Sequence, residues 1–95
     1  MSVKIIIKRT VPENKIKDLM PLLKQLRIMA NNQPGYISGE TLKGIDNPAN
    51  YIVISTWRSV DDWKKWLLSK ERTEIQKNID SLLENKTLCE IYNYA

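Results

Sequence analysis

The chain has 95 residues and a formal net charge of +4, with 42% apolar and 27% charged side chains. A chain of this length forms one domain, which we expect to span residues 1–95, and it buries only about 60–65% of the surface of its unfolded state. The composition excludes a disordered chain, and no apolar run approaches the roughly 20 residues of a membrane-spanning helix. We therefore expect a globular protein that is not inserted in a membrane.

Several kinds of site are excluded by the residues that are missing. There is no histidine, and Cys89 is the single cysteine. Histidine-based catalytic triads, the usual zinc sites, a histidine ligand to haem iron and an internal disulfide are therefore all excluded. No acidic cluster has the spacing of a calcium or magnesium loop, so the sequence predicts no metal site. Cys89 falls in a predicted strand, where we expect a buried and unreactive thiol.

The positive charge is distributed along the chain, because the lysines alternate with acidic residues instead of forming one basic patch. A nucleic-acid-binding protein concentrates its positive charge on one face, so we expect no nucleic-acid partner. The first residues, MSVKIIIKRT, contain too short an apolar stretch for a secretion signal. We expect a cytoplasmic protein.

The first strand and helix follow from two different periodicities. Residues 3–9 are rich in β-branched side chains and alternate partly with lysine, which predicts a strand with Ile5 and Ile7 on one face. Apolar residues at three- and four-residue steps then predict an amphipathic helix from Ile16 to residues 30–32. Pro34 and the glycine after it end this helix.

The middle of the chain predicts a β-hairpin followed by helices. Residues 36–42 and 51–57 read as strands joined by a loop of turn residues, and Gly39 inside the first of them predicts a bulge or a close packing neighbour. Ser59 can cap the next helix, and Ser69 can cap a second helical segment after a break.

Residues 87–94 read as a fourth strand, which completes the order β-α-β-β-α-β. Two such crossovers over one antiparallel sheet predict an α+β, ferredoxin-like fold. Both helices then cover the same face of the sheet, and the opposite face should be polar. Instead, Ile6, Ile52 and Ile54 make that face partly apolar. We therefore expect a homodimer that buries sheet against sheet.

A set of short motifs resembles a known family. These are P-G-Y at 34–36, D-N-P at 46–48, S-x-W at 55–57, W-x-x-W at 63–66 and S-x-E-R at 69–72. Together they resemble the antibiotic biosynthesis monooxygenase (ABM) domain over essentially the whole chain. The resemblance implies a dimeric α+β barrel built from ferredoxin-like protomers. Because that family includes oxygenases and haem-degrading enzymes, its motifs indicate the fold more sharply than the reaction.

Haem-degrading relatives place an asparagine on the first strand, a tryptophan on the second helix and a histidine ten positions later. By this resemblance Trp66 matches the tryptophan, Gln76 stands in place of the histidine and Ile7 in place of the asparagine. An amide is a poor ligand for haem iron, so the resemblance argues against haem.

Relatives that oxidise polycyclic phenols need neither metal nor flavin, because the bound phenolate itself passes an electron to dioxygen. The resemblance then implies an apolar pocket walled by Trp66, Met29 and Ile7, with Arg72 or Gln76 holding the oxyanion. The serines have no histidine to activate them, which argues against a hydrolase. On this basis we expect a cofactor-independent monooxygenase acting on a small phenol-like or quinol-like aromatic compound. The alternative is a non-enzymatic, ligand-binding or structural dimer of the same fold, with Trp66 in its core.

Overall fold

The computed structural model describes residues 2–95 and is an α+β fold with four strands and three helices in that range. The strands are β1 (Val3–Thr10), β2 (Tyr36–Lys43), β3 (Asn50–Trp57) and β4 (Leu88–Tyr92), and the helices are α1 (Ile16–Asn31), α2 (Val60–Leu67) and α3 (Lys70–Leu83). The predicted order of elements is confirmed, with the second helical region divided into α2 and α3.

The strands form one antiparallel sheet in the order β2-β3-β1-β4. The register places Ile7 of β1 between Val53 of β3 and Cys89 of β4. The two most apolar strands, β1 and β3, therefore lie at the centre, where both of their edges are paired. This is the ferredoxin-like arrangement that the sequence predicts.

All three helices pack on one face of the sheet, and alternate residues of the central strands supply the core beneath them. Val3, Ile5 and Ile7 of β1 and Trp57 of β3 are buried there. Because side chains alternate between the faces of a strand, this set is the one that the period of two predicts. The core continues between α1 and α3, where Leu19 and Ile79 are fully buried.

Two serines fix where α2 and α3 begin. The Ser59 hydroxyl accepts a hydrogen bond from the backbone N–H of Asp62 at 3.1 Å, and the Ser69 hydroxyl accepts one from the backbone N–H of Arg72 at 3.2 Å. Both predicted caps are confirmed. Each satisfies a donor that would otherwise lack a partner in the first helical turn. The second cap also holds Arg72 in the first turn of α3.

The turn before β2 depends on Gly35, which has a φ of +87°. A Cβ atom at this position would collide with the side chain of Asp62. The predicted irregularity in β2 lies between Tyr36 and Ser38 instead of at Gly39, because Ile37 is the extra residue in the pairing with β3. Gly39 has the other predicted property, a close neighbour.

The face of the sheet without helices carries an apolar strip. Ile6 and Ile54, which pair across β1 and β3, are half-buried, and Leu42, Leu88 and Tyr92 are about half exposed, at 46%, 51% and 46%. A salt bridge of 3.1 Å between Lys8 and Glu90 lies on the same face. No helix within residues 2–95 is both long enough and apolar enough to cross a lipid bilayer.

Helix α3 ends at Glu84, whose left-handed conformation has a φ of 56°. A side chain with a Cβ atom is strained in this region, whereas glycine is not. We expect Glu84→Gly to raise the free energy of unfolding by about 0.5–1 kcal/mol relative to Glu84→Ala, which removes the same charge and keeps the Cβ atom. Urea denaturation measures both variants, and equal stabilities would contradict the strain argument.

Candidate functional site

A cavity lies between α1 and the helix-covered face of β1, β2 and β3. Its volume is about 70 Å³, and it opens to solvent between α1 and the edge strand β2. Pockets for drug-sized ligands begin at roughly 300 Å³, so this one fits a small ligand or one part of a larger ligand. Most of its lining is apolar and comes from α1 and the central strands: Ile7, Leu23, Leu26, Ala30, Val53 and Trp57.

Tyr36 and Trp57 form an aromatic wall of the cavity, and the Trp63 ring packs behind Trp57. The Tyr36 and Trp57 rings meet edge to face, with centroids 5.3 Å apart, and the Trp57 and Trp63 rings do the same at 5.6 Å. The indole Nε1–H of Trp57 donates a hydrogen bond of 3.1 Å to the Ser55 hydroxyl, also buried. These contacts leave Trp57 little rotational freedom, so the wall is rigid.

The Tyr36 hydroxyl occupies space that only a glycine at position 39 leaves open. A Cβ atom on Gly39 would lie 2.5 Å from that hydroxyl oxygen. Burial raises the pKa of Tyr36, against an opposing effect of the Arg27 charge. The hydroxyl is therefore protonated at neutral pH and can donate a hydrogen bond to a ligand oxygen.

The opposite end of the cavity is cationic because Arg72 reaches into it. Arg72 is only 6% exposed, and its guanidinium lies over the Trp63 ring at 5.3 Å from the centroid. Burial lowers the pKa of Arg72, with Cys89 and Asp80 acting in the other direction. Residues of this type are usually solvated, so its burial departs from the ordinary pattern, whereas its place in the cavity agrees with the family resemblance.

A second guanidinium, that of Arg9, lines the same cavity and is 4% exposed. Its Nη2–H donates a hydrogen bond of 3.0 Å to Gln76 Oε1, whereas its buried Nε–H has no hydrogen-bond partner. Desolvation, followed by repulsion from Arg72, lowers the pKa of Arg9 to about 10. Both groups are still cations at neutral pH. Within residues 2–95 neither forms an ion pair with a carboxylate.

Gln76 holds Arg9 from the α3 side. Its Nε2 group donates to Asp80 Oδ1 at 2.8 Å and to Thr87 Oγ1 at 3.1 Å, which leaves its carbonyl oxygen to face Arg9. Gln76 also borders a neighbouring, more open cavity between α3 and β4, together with Arg72 and Cys89. The two cavities therefore adjoin at Arg72.

The prediction of a buried Cys89 is wrong, because this thiol is exposed. Cys89 does face the helix side of the sheet, since it pairs with Ile7. It lies on the edge strand β4, however, and lines the open cavity between β4 and α3. The strand was predicted correctly, but the sequence pattern could not predict how far the helices extend over it.

Of the residues singled out from the sequence, Ile7 and Arg72 line the first cavity, and Gln76 reaches it through Arg9. Trp66 is buried in the core cluster with Trp57 and Ile7, and Met29 packs against that cluster, both outside the cavity lining. Their roles in binding stay predictions.

Arg9 is the functional candidate that the sequence-based reasoning missed. Its signal was present, because Arg9 continues the buried alternation of Val3, Ile5 and Ile7 on β1. A charge on the core face of a strand is a conspicuous departure from the pattern. No group of three or more His, Cys, Asp or Glu side chains that could hold a metal ion is found among residues 2–95.

The sequence matches the family model described as antibiotic biosynthesis monooxygenase over residues 2–78. The chain belongs to this family. The match covers the elements from β1 to the middle of α3, and thus the strands and helices that line the first cavity. No curated protein matches the chain at a significant level of sequence similarity.

Solved structures confirm the fold of this ABM protein. It is similar to a conserved protein from Methanosarcina mazei Go1, with a TM-score of 0.92 and 20% identity over 100% of this chain and 94% of the other. A mutant of SnoaB, a cofactor-independent oxygenase from Streptomyces nogalater, superimposes with a TM-score of 0.86 and 15% identity over 98% and 92% of the two chains. Rv0793 from Mycobacterium tuberculosis superimposes with a TM-score of 0.87 and 14% identity over 100% of this chain and 96% of the other.

The two buried guanidiniums should destabilise the ligand-free protein. Burial lowers the pKa of Arg9 to about 10, which means that folding disfavours the charged form of this group. This penalty, of order 3 kcal/mol, applies in full below pH 10 and declines at higher pH, where the folded protein loses the proton first. We expect Arg9→Met to raise the free energy of unfolding at pH 7 by about 1–3 kcal/mol, because methionine keeps much of the buried volume without the charge.

Chemical denaturation at pH 7 tests this expectation. Arg27→Met is the matched control, because Arg27 is an exposed arginine at the mouth of the same cavity. It should change stability by no more than about 0.5 kcal/mol. If Arg9→Met is less stable than the wild type, the interactions of Arg9 in the folded protein outweigh the cost of burying its charge.

Proposed function

We propose that this ABM protein is a cofactor-independent monooxygenase that acts on a small phenol-like or quinol-like aromatic compound. The observation that carries the proposal is the apolar, aromatic-walled cavity that ends at the buried guanidinium of Arg72. Family membership supports the reaction class, and the description of SnoaB as a cofactor-independent oxygenase supports the absence of a cofactor. The substrate class rests on the shape and charge of the cavity.

The cationic end of the cavity would make a phenol reactive. A guanidinium in a water-poor site stabilises a phenolate oxygen more strongly than water does, and so lowers the pKa of the bound phenol. The proton can leave to solvent through the open mouth, so no dedicated base is required. This agrees with a chain that contains no histidine.

The electron-rich phenolate then reduces dioxygen directly. One electron passes from the ring to O₂, and the resulting radical pair combines into a hydroperoxide at a ring carbon. Loss of water from that carbon leaves a carbonyl group, so one oxygen atom enters the quinone product and the other leaves as water. The substrate supplies all the electrons. The protein orients the ring between Ile7, Val53 and Trp57 and excludes water from the intermediates.

The residues present do not fit haem as a resident cofactor. Gln76, which occupies the position of the histidine in haem-degrading relatives, already uses its amide in hydrogen bonds to Arg9, Asp80 and Thr87. Ligation of iron would break this network and leave the buried Arg9 guanidinium with one partner fewer. We expect a haem titration to give no stoichiometric shift of the Soret band.

Oxygen consumption with 1,4-dihydroxynaphthalene tests the proposed reaction. One ring fits the cavity and the second extends towards the mouth between α1 and β2. We expect Arg72→Leu to lower kcat/KM by about 100-fold, the usual cost of removing one oxyanion-stabilising donor. Leucine retains an apolar contact for the Trp63 ring, which limits damage to the fold.

Arg58→Leu is the matched control, because Arg58 is an exposed arginine outside the cavity lining. Its oxygen consumption should equal that of the wild type. If Arg72→Leu also consumes oxygen at the wild-type rate, Arg72 does not stabilise the phenolate. If the wild type does no better than buffer with any quinol or anthrone, the non-enzymatic alternative, a ligand-binding or structural protein, replaces the proposal.

We further propose that the protein is a homodimer joined through the face of the sheet that carries no helices. The apolar strip around Ile6 and Ile54 lies at the centre of that face, where a twofold partner would bury it. A chain of this size also gains stability from the additional apolar burial.

Sedimentation at low micromolar concentration tests the dimer. We expect wild type to sediment as a dimer and Ile54→Lys as a monomer, because a lysine at the centre of the strip would be buried without a partner. Ile45→Lys is the control, since Ile45 is 95% exposed in the loop between β2 and β3. A wild-type monomer would refute the proposed interface.

A further inference from the structure

We propose that the paired guanidiniums of Arg9 and Arg72 form a subsite for a carboxylate, so that the ligand of this cavity is a small aromatic acid. This inference rests on the proposed function and narrows its substrate class from phenols in general to phenols that carry an adjacent carboxylate. The subsite lies where Arg9 of β1 and Arg72, in the first turn of α3, both line the cavity.

The two buried guanidiniums carry positive charge that no ion pair within residues 2–95 compensates. Arg9 and Arg72 are 4% and 6% exposed, and neither forms an ion pair with any carboxylate among residues 2–95. Two neighbouring cations in a water-poor site repel each other, and both lose solvation. A bound anion would relieve both penalties at once. Such an arrangement is costly for folding alone and fits a site that is completed by its ligand.

Arg9 also has a buried hydrogen-bond donor that lacks an acceptor among residues 2–95. The Nε–H of Arg9 is buried and has no hydrogen-bond partner, and the Arg9 side chain lines the cavity. Gln76 holds Arg9 by one Nη2–H group, at 3.0 Å, which fixes the guanidinium and leaves Nε–H free to donate. Buried polar groups in proteins are almost always paired, so a free one beside a cavity points to a ligand acceptor.

The shape and lining of the site favour an aromatic carboxylate over other anions. A guanidinium offers parallel N–H groups that match the two oxygens of a carboxylate. The remainder of the lining is mostly apolar, with Ile7, Leu23 and Trp57 at the positions that a ring would contact. Inorganic phosphate would leave these apolar walls without a partner. An aromatic carboxylate satisfies both the cationic end and the apolar walls.

The nearby acidic groups are already engaged or lie elsewhere. Asp80 accepts a hydrogen bond from Gln76 at 2.8 Å and is exposed, so its charge is screened by solvent. Glu40 lines the cavity but is exposed on the edge strand β2, which forms the open side of the cavity. A ligand that enters with its carboxylate first therefore places this group against Arg9 and Arg72. Its ring then lies between the apolar walls.

Calorimetric titration of the full chain with matched ligands tests the subsite. The ligands are 2-hydroxybenzoate and phenol, which share the ring and differ by the carboxylate, with inorganic phosphate as a third. We expect wild type to bind 2-hydroxybenzoate about 10- to 100-fold more tightly than phenol, as charge-assisted hydrogen bonds to a buried cation should give. Phosphate should bind far more weakly than 2-hydroxybenzoate.

In Arg9→Met the preference for the acid should fall by at least about tenfold, while the affinity for phenol stays within about threefold of wild type. Arg58→Met, at an exposed arginine outside the cavity lining, should retain the preference. The melting temperature supplies a second readout: 2-hydroxybenzoate should raise that of wild type and not that of Arg9→Met. Equal affinities of wild type for the acid and for phenol overturn the proposal, and so does phosphate binding as tight as that of the acid.

The failure of this inference can be distinguished from the failure of the proposed function. Oxygen consumption with 1,4-dihydroxynaphthalene, which has no carboxylate, reports the reaction alone. If the enzyme oxidises it and shows no preference for acids, the reaction stands and the carboxylate subsite is rejected. If acids bind in a manner that depends on Arg9 and no quinol is oxidised, the subsite stands and the oxygenase proposal is rejected.

Discussion

The site depends on one electrostatic constraint: two guanidiniums are enclosed beside an apolar cavity, and neither forms an ion pair with a carboxylate among residues 2–95. Burial removes the solvation of Arg9 and Arg72, and the charge of Arg72 further disfavours that of Arg9. The Trp63 ring contacts Arg72, and Gln76 accepts a hydrogen bond from Arg9. These contacts hold the two guanidiniums in place in spite of the repulsion. In the proposed carboxylate subsite, a bound anion would relieve this cost, and the relief would add to its affinity.

The elements around the cavity show how this arrangement is maintained. Ser69 caps α3 and holds Arg72 in the first turn of that helix. The register of β1 against β3 places Arg9 on the helix-covered face, in line with Ile7. Each device is local, a cap or a strand register, and the two elements meet where Arg9 of β1 donates a hydrogen bond to Gln76 of α3. Loss of the Ser69 cap or a shift in the register of β1 would therefore separate the guanidiniums more readily than a substitution in the apolar core.

The predicted fold was confirmed in nearly all its parts, from periodicity and caps. The alternation in β1 and β3 predicted which side chains are buried. The hydroxyls of Ser59 and Ser69 cap the N-termini of α2 and α3, as expected. The predicted site was less complete. Arg72 and Ile7 line the cavity, whereas Trp66 lies in the core behind it, and Arg9 was overlooked. A single sequence cannot reveal how far a helix extends over a sheet, which is also why Cys89 was misplaced.

The sequence by itself determined the strands, the helices, the face of each strand that is buried and the absence of histidine chemistry, because these follow from spacing and residue type. Only the tertiary structure decided that Arg9 and Arg72, which are 63 positions apart in the chain, share one cavity and that Gln76 holds the first of them. That meeting results from the packing of α3, whose Ile75 and Ile79 share a core cluster with Leu23 of α1 and Tyr51 of β3. Its geometry depends on distances in space, which no local pattern of residues encodes.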